Sequence, residues 1–380
     1  MYGIGLVEPR RSGEGLPVRC FAGEKGRDRA LKTGSAEIAR LLARPLEELV
    51  AEADSLRRLR HGDGVWIRGL LEFTNRCTCN CLYCGLRAAN GRLGRYSLTE
   101  EEILLSVRAG FARGLGTFVL QGGEDPDWTT DRLCRLVEAI KVETEGRAAV
   151  TLSCGIKSRG DYRRLVACGA DRYLLRFETA DPALHERLRG GISLRRRLQA
   201  LDDLREEGFE LGSGFMVGLP GETEAVRVAN LELCRDLALD MVGIGPFIAN
   251  PDTPLAGEAS GTLEATVRMT AALRLLLPDA NIPATTAAGS LFSQGREAML
   301  GAGANVLMPN VTPLAYRERY LLYPGKDTIT QDGIQELEAI AAHLEELGRR
   351  ADLGRGDSPS RTRTNKKQMD QNSKKTIEKT

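Results

Sequence analysis

Between residues 65 and 310 the chain alternates short β-type runs with helical intervals, and this alternation restricts the folds open to it more than any other feature. The runs are VWIRGLLEFT (65–74), TFVLQGG (117–123), AAVTLSCG (148–155), RYLLRFET (172–179), ELGSGFMVGLP (210–220), MVGIGPFI (241–248), IPATTA (282–287) and NVLMPN (305–310). Helical stretches separate them. In one, Thr99 to Gly114, Thr99 as N-cap and Glu102 compose a capping box; another, Glu222 to Leu239, follows a Pro-Gly turn. Eight such units with right-handed crossovers predict an α/β fold, a (β/α)8 barrel, whole or partly open.

The fourth run says what the lumen holds. A period of two puts Arg172, Leu174, Arg176 and Glu178 on one face and Tyr173, Leu175 and Phe177 on the other. The apolar face must meet the helices, so the charged face points inward, where barrels of this kind ordinarily carry branched aliphatics. Buried charges need partners. A polar ligand in the lumen supplies them; a structural Arg-Glu pair at the strand end is the alternative. Arg68 and Glu72 repeat the theme on the first run.

Composition bears on partners and ends. Lys and Arg (53) nearly balance Asp and Glu (52), so no global field draws the protein to nucleic acid or an anionic membrane. The absence of an apolar run of 18 residues or of a signal-type h-region predicts cytoplasmic residence. Residues 1–32 read as a loose extension, 33–353 as the barrel with flanking helices, and 354–380 as a disordered basic tail. The last 20 residues hold five of the ten lysines and net +5. Removal of everything after Leu353 is therefore expected to leave the barrel intact.

Nine cysteines, four of them between Cys77 and Cys84, suit metal binding in a reducing compartment. Cys77, Cys81 and Cys84 form C-x3-C-x2-C just past the first run. Three thiolates on a short loop can hold three irons of a [4Fe-4S] cluster and leave the fourth open. A closed zinc site wants four ligands, usually in two separated pairs; Cys79 can supply a fourth, so zinc stays open on spacing alone. Cys79 stands two residues from both Cys77 and Cys81, which strains four-point capture, and it reads as a non-ligand.

This spacing, with Tyr83 before the last cysteine, resembles the signature of radical S-adenosylmethionine (SAM) enzymes. Gln121-Gly-Gly-Glu124 looks like that family's GGE motif, though paired glycines at a strand end also mark a tight turn. Longer stretches, among them CLYCGLR (81–87), GADRYLLRFETA (169–180), DMVGIGPFIANPDTPLA (240–256) and LLPDANIPATTA (276–287), are similar to the HydE-type maturases of [FeFe]-hydrogenase, relatives of biotin synthase and methylornithine synthase. The resemblance covers about residues 50–330.

It implies a [4Fe-4S] cluster on three cysteines and SAM held by Gly122, Gly123, Glu124, Arg176, Glu178 and Arg197. It implies a substrate cavity lined by Thr151, Arg172, Met241, Thr285, Thr286, Met308 and Tyr320, whose basic residues would hold a carboxylate or cyanide. Plain core packing is the other reading of Met241 and Met308, and a capped strand end that of Thr285 and Thr286. The implied activity is a maturation step on a small organometallic or amino-acid-derived substrate, with partner maturases and a reducing electron donor; a carbon-skeleton mutase or sulfur-insertion enzyme is the alternative, and a non-catalytic iron-sulfur scaffold the reading from another class. Some such maturases carry a second cluster after the YPGK segment. No cysteine follows Cys234 here, so no second cluster is expected.

Overall fold

The alternating pattern builds a closed ring of parallel strands in the computed structural model, which describes residues 34–325 and 333–360. The strands are β1 (Gly64–Ile67), β2 (Gly69–Thr74), β3 (Thr117–Gly122), β4 (Ala149–Ser153), β5 (Arg172–Leu174), β6 (Glu210–Val217), β7 (Met241–Pro246), β8 (Val306–Leu307) and β9 (Arg350–Asp352). β2 to β7 pair in sequence order, every pair parallel. β1 pairs with β8, Trp66 opposite Val306, and closes the ring.

Two of the expected strands differ from the sequence reading. The first run breaks at Arg68 into β1 and β2, yet the wall is continuous there, because Arg68 N donates to Leu307 O (2.9 Å) and Leu70 N to Pro309 O (2.8 Å). The run at 282–287 makes only bridges, Met241 to Asn281 and Pro283 to Val306. Pro283 has no N–H to give a ladder, and Thr285 already opens the helix Thr286–Leu291. Residues 281–284 still fill the gap between β7 and β8, so the ring has its full complement of walls.

Outward-facing side chains pack against the helices: Phe73, Phe118, Val150, Tyr173, Phe177 and Phe215 are fully buried. Burying such a side chain contributes roughly 1.5–3 kcal/mol, and it fixes which face of each strand turns to the lumen. The helix Glu100–Ala112 starts as the sequence predicts, with Thr99 and Glu102 in a reciprocal capping box. Glu224–Asp236 starts at Thr223, whose side chain accepts from Val226 N. No helix among the described residues is long and apolar enough to cross a membrane.

The underside of the barrel corrects the expected tail boundary. β9 pairs with β1, Gly64 opposite Arg350, and residues 354–360 then cross the N-terminal ends of the strands. Gly116 N donates to Leu353 O, Thr117 Oγ1 to Arg355 O (2.7 Å), Ser358 Oγ to Asp279 O (3.0 Å) and Ser360 Oγ to Asp240 Oδ1 (2.8 Å). Ser358 is fully buried. This segment is a floor and not the start of a free tail. The expected N-terminal extension (1–32), the cysteine-free segment after Gly325 and the rest of the tail lie outside the described residues.

Candidate active site

The cysteine loop follows β2 at the C-terminal end of the barrel, opposite the floor. Its shape is set by the segment after β3. Thr78 N and Oγ1 both donate to Glu124 O (3.1 Å each), and Glu124 N donates to Cys77 Sγ at 3.4 Å, as does Cys79 N. Gly123 is where the two segments touch: a Cβ there would lie 2.1 Å from Arg76 O and 2.7 Å from Cys77 Cβ. No side chain fits that approach. Gly123→Ala is expected to push the loop outward, and the iron retained after anaerobic reconstitution should fall well below the wild-type level.

The thiols differ electrostatically. A hydrogen bond from the Cys79 thiol lowers Cys77 to about 6 and Cys81 to about 7, while Cys79 itself is pushed up by those same bonds. Burial pushes Cys84 up to about 12. The chemistry of this donor set fits a cluster: the loop offers thiol groups, and backbone amides already point at one sulfur. Among the described residues no three His, Cys, Asp or Glu side chains are arranged to hold a single metal ion, whereas a cluster takes each thiolate on a different iron.

Tyr83 and Cys84 look down into a cavity of about 240 Å³ that occupies the lumen. From the sequence, Thr151, Arg176, Glu178 and Met241 line its walls, as do Thr285, Thr286 and Met308. Arg176 Nη2 pairs with Glu178 Oε2 at 3.0 Å. Glu178 has φ +67°, a left-handed conformation that costs a side-chain-bearing residue about 1 kcal/mol or more. Two hydrogen bonds to β6 hold it there, Glu178 N to Gly214 O (2.9 Å) and Met216 N to Glu178 O (3.1 Å). Outward-facing Phe177 stacks on Phe215, ring centres 5.9 Å apart.

Gly122, Gly123 and Glu124 lie at the rim and not on the cavity wall. Arg197, on the helix Leu194–Glu206, is 2% exposed, and its Nε and Nη2 have no hydrogen-bond partner. Burial, and next the neighbouring Arg189, lower its pKa. An unpaired buried guanidinium of this kind suits an anionic ligand group.

Two expectations are corrected. Arg172 does not line the cavity. It is fully buried in the floor, where Nε bonds Glu210 Oε2 (3.0 Å) and Nη2 pairs with Asp357, because it stands first in β5, one level below the cavity wall. Arg-Glu pairs of the kind foreseen as an alternative thus occur twice on this face, Arg172 with Glu210 and Arg176 with Glu178. Tyr320 is buried behind the wall, its hydroxyl accepting from Gln121 Nε2 at 3.4 Å, and Tyr323 takes the lining position.

Sequence reasoning left other residues unassigned. Arg189, half-buried as the C-cap of the helix Pro182–Leu188, donates to Tyr83 Oη (3.0 Å) and Glu124 Oε1 (3.4 Å), joining loop and rim. Nothing in its local sequence marks it. Arg68 lines the cavity, as its shared face with Glu72 foreshadowed; Glu72 itself is buried and accepts from Asn310 Nδ2 (3.0 Å).

Comparison with known proteins supports the geometry. The model of the Radical SAM superfamily matches residues 71–234. The [FeFe] hydrogenase maturase subunit HydE of Thermotoga maritima is 48% identical over 304 residues, 80% of this chain and 86% of that protein. A 3-methylornithine synthase of Methanosarcina acetivorans is 27% identical over 80% of this chain and 85% of its own. Among solved structures, methylornithine synthase superposes with a TM-score of 0.73 at 23% identity, over 85% of this chain and 95% of that one. The maturase HydG superposes at 0.70 and 19%, over 84% and 72%. These two likenesses show the barrel. The sequence match shows more: the chain belongs to the radical SAM superfamily, in the family of the Thermotoga HydE protein, and is a radical SAM enzyme.

Proposed function

We propose that this enzyme takes part in assembling the diiron subcluster of [FeFe]-hydrogenase, acting on a small organometallic substrate, a cysteine-bound iron carbonyl cyanide precursor. Identity of 48% to a HydE maturase over 86% of that protein's length carries the reading. Cys77, Cys81 and Cys84 would hold a [4Fe-4S] cluster. Gly122, Gly123 and Glu124 at the rim, Arg176 and Glu178 on the cavity wall and the buried Arg197 would hold SAM. The cluster, reduced by an external donor, would supply the single electron that cleaves SAM to methionine and a 5'-deoxyadenosyl radical.

The chain's own part is to bind, orient and exclude water. Arg189 ties Tyr83 to Glu124 and so links the loop to the rim. The cavity below is walled largely by apolar side chains, which keeps water from a reactive species. Partner maturases and a reducing electron donor complete the proposed setting.

The test is anaerobic reconstitution followed by reduction with dithionite in the presence of SAM. Release of 5'-deoxyadenosine is expected, and faster release when the precursor is added. Release that the precursor leaves unchanged would sink the maturase reading while keeping the enzyme.

The paired face makes a further prediction. Arg176→Ala and Glu178→Ala should each weaken SAM binding roughly ten- to a hundredfold, the worth of a charge-assisted hydrogen bond at about 1.5–3 kcal/mol. Phe177→Leu, on the opposite face, should cost roughly 1 kcal/mol of stability and leave SAM affinity unchanged. Equal losses of affinity in Phe177→Leu and Glu178→Ala would overturn the assignment of faces.

A further inference from the structure

Glu178 owes its place to an uncommon piece of backbone. Thr179 N donates to Phe177 O (2.8 Å) across it, and with Glu178 at φ +67° this closes the rarer, strained kind of γ-turn. Such a turn persists only where its surroundings hold it. The chain around it is pinned: Glu178 N and O both bond β6, and Ala180 N donates to Asn230 Oδ1 (2.6 Å). The carbonyl of Phe177 has a second donor besides Thr179, because His185 Nδ1 lies 2.7 Å from it.

A carbonyl oxygen can only accept, so Nδ1 carries the ring proton. Burial, the largest cause, lowers the His185 pKa to about 4 against the rise that the Phe177 bond brings, so the ring is neutral and Nε2 bears no proton. His185 is fully buried, and its Nε2 has no hydrogen-bond partner. An imidazole with one nitrogen unsatisfied is a poor choice for packing alone, since a leucine or phenylalanine would fill the space without burying an unpaired polar atom. What the ring gains is its bond to Phe177 O. The helix that carries it, Pro182–Leu188, also touches the cysteine loop: Leu82 N donates to Leu188 O (2.9 Å), and Arg189, the C-cap, reaches Tyr83. One short helix therefore grips both the backbone beside Glu178 and the loop that carries the cysteines.

We propose that His185 is a positioning residue, whose Nδ1–H holds the turn that aims Glu178 into the site and ties that turn to the cysteine loop. The inference rests on the proposed function only in taking Glu178 as a SAM contact. The hold on the turn belongs to the chain itself.

Two replacements separate the bond from the packing. His185→Phe keeps a ring in that space and removes the donor, whereas His185→Asn keeps an N–H near the place of Nδ1 and gives up the rest of the ring. His185→Leu serves if the larger ring is not accommodated. Hydrogen exchange followed by mass spectrometry, on the full chain without SAM, reads the turn directly. The peptide spanning 175–180 should exchange faster in His185→Phe than in wild type, and at close to the wild-type rate in His185→Asn. After anaerobic reconstitution, SAM should bind His185→Phe roughly two- to tenfold more weakly, the range that one hydrogen bond confers, and His185→Asn within about twofold of wild type. In a Glu178→Ala background the phenylalanine should cost no further affinity, because a residue that acts through Glu178 then has nothing left to position. A packing role alone predicts the opposite order, with His185→Asn the worse of the two. That order, unchanged exchange in His185→Phe, or losses that add to those of Glu178→Ala would each overturn the proposal. Wild-type SAM affinity in Glu178→Ala, with exchange still faster in His185→Phe, would instead sink the underlying reading of Glu178 as a SAM contact.

Discussion

Serine at Cys77, Cys81 or Cys84 is expected to abolish both iron binding and SAM cleavage, and serine at Cys79 to spare both. Anaerobic reconstitution of the wild type should give about four irons per chain, as one three-thiolate site holding one [4Fe-4S] cluster requires. The structure sharpens the Cys79 half of the test. Its thiol lies within hydrogen-bonding reach of both Cys77 and Cys81, and its backbone N–H donates to Cys77 Sγ at 3.4 Å. The serine variant keeps that backbone donor and places a hydroxyl donor where the thiol was, so both neighbours should still ionise. Loss of iron in Cys79→Ser would mean that the wrong triad was chosen. About eight irons in the wild type would reveal a second cluster with ligands from outside the loop.

Features written in contiguous residues were legible. The capping box at Thr99, the inward face of Leu174, Arg176 and Glu178, and the C-x3-C-x2-C loop each depend on spacing within one short stretch. Depth in the barrel was not legible. A period of two assigns Arg172 and Arg176 to the same face and says nothing about which level of the lumen each reaches. That level is fixed by what closes the underside, and the closing segment reads LGRGDSPS (353–360), without apolar periodicity. Its binding energy resides in backbone carbonyls and two ion pairs, which hydrophobic pattern does not encode. The same limit explains Arg68, whose face was legible but whose burial beside Glu210 and Asp357, both ion-paired with Arg172, was not. Arg189 and Arg197 sit in arginine-rich sequence, where only packing distinguishes a shielded guanidinium from its solvated neighbours.

A chain ended at Leu353 is expected to be markedly less stable than one ended at Ser360, the reverse of what composition suggests. The shorter chain loses Asp357, a partner of fully buried Arg172, and Arg355, whose Nη2 reaches Asp171 Oδ1 at 2.8 Å. Removing one member of a buried pair leaves an uncompensated charge and costs about 3–5 kcal/mol. Asp357 is 37% exposed, so water screens part of that, and roughly 3 kcal/mol is the better figure. The melting temperature should then fall by about 4–5 °C. Acidity separates this cause from simple loss of contacts. Burial raises the pKa of Asp357 and Asp171, but Arg172 and Arg355 outweigh it for the first, Lys141 and Arg355 for the second, and both end below the ordinary 3.8. Their contribution is therefore full above that value and is lost as pH falls through the depressed folded values. The chain ended at Ser360 retains every floor contact described above and should shed this stability on acidification, so the gap between the two chains should narrow. Thermal melts of both across that range, with iron content measured in parallel, make the comparison. Equal melting temperatures at neutral pH would show that the floor is dispensable and that Arg172 finds its compensation in Glu210 alone.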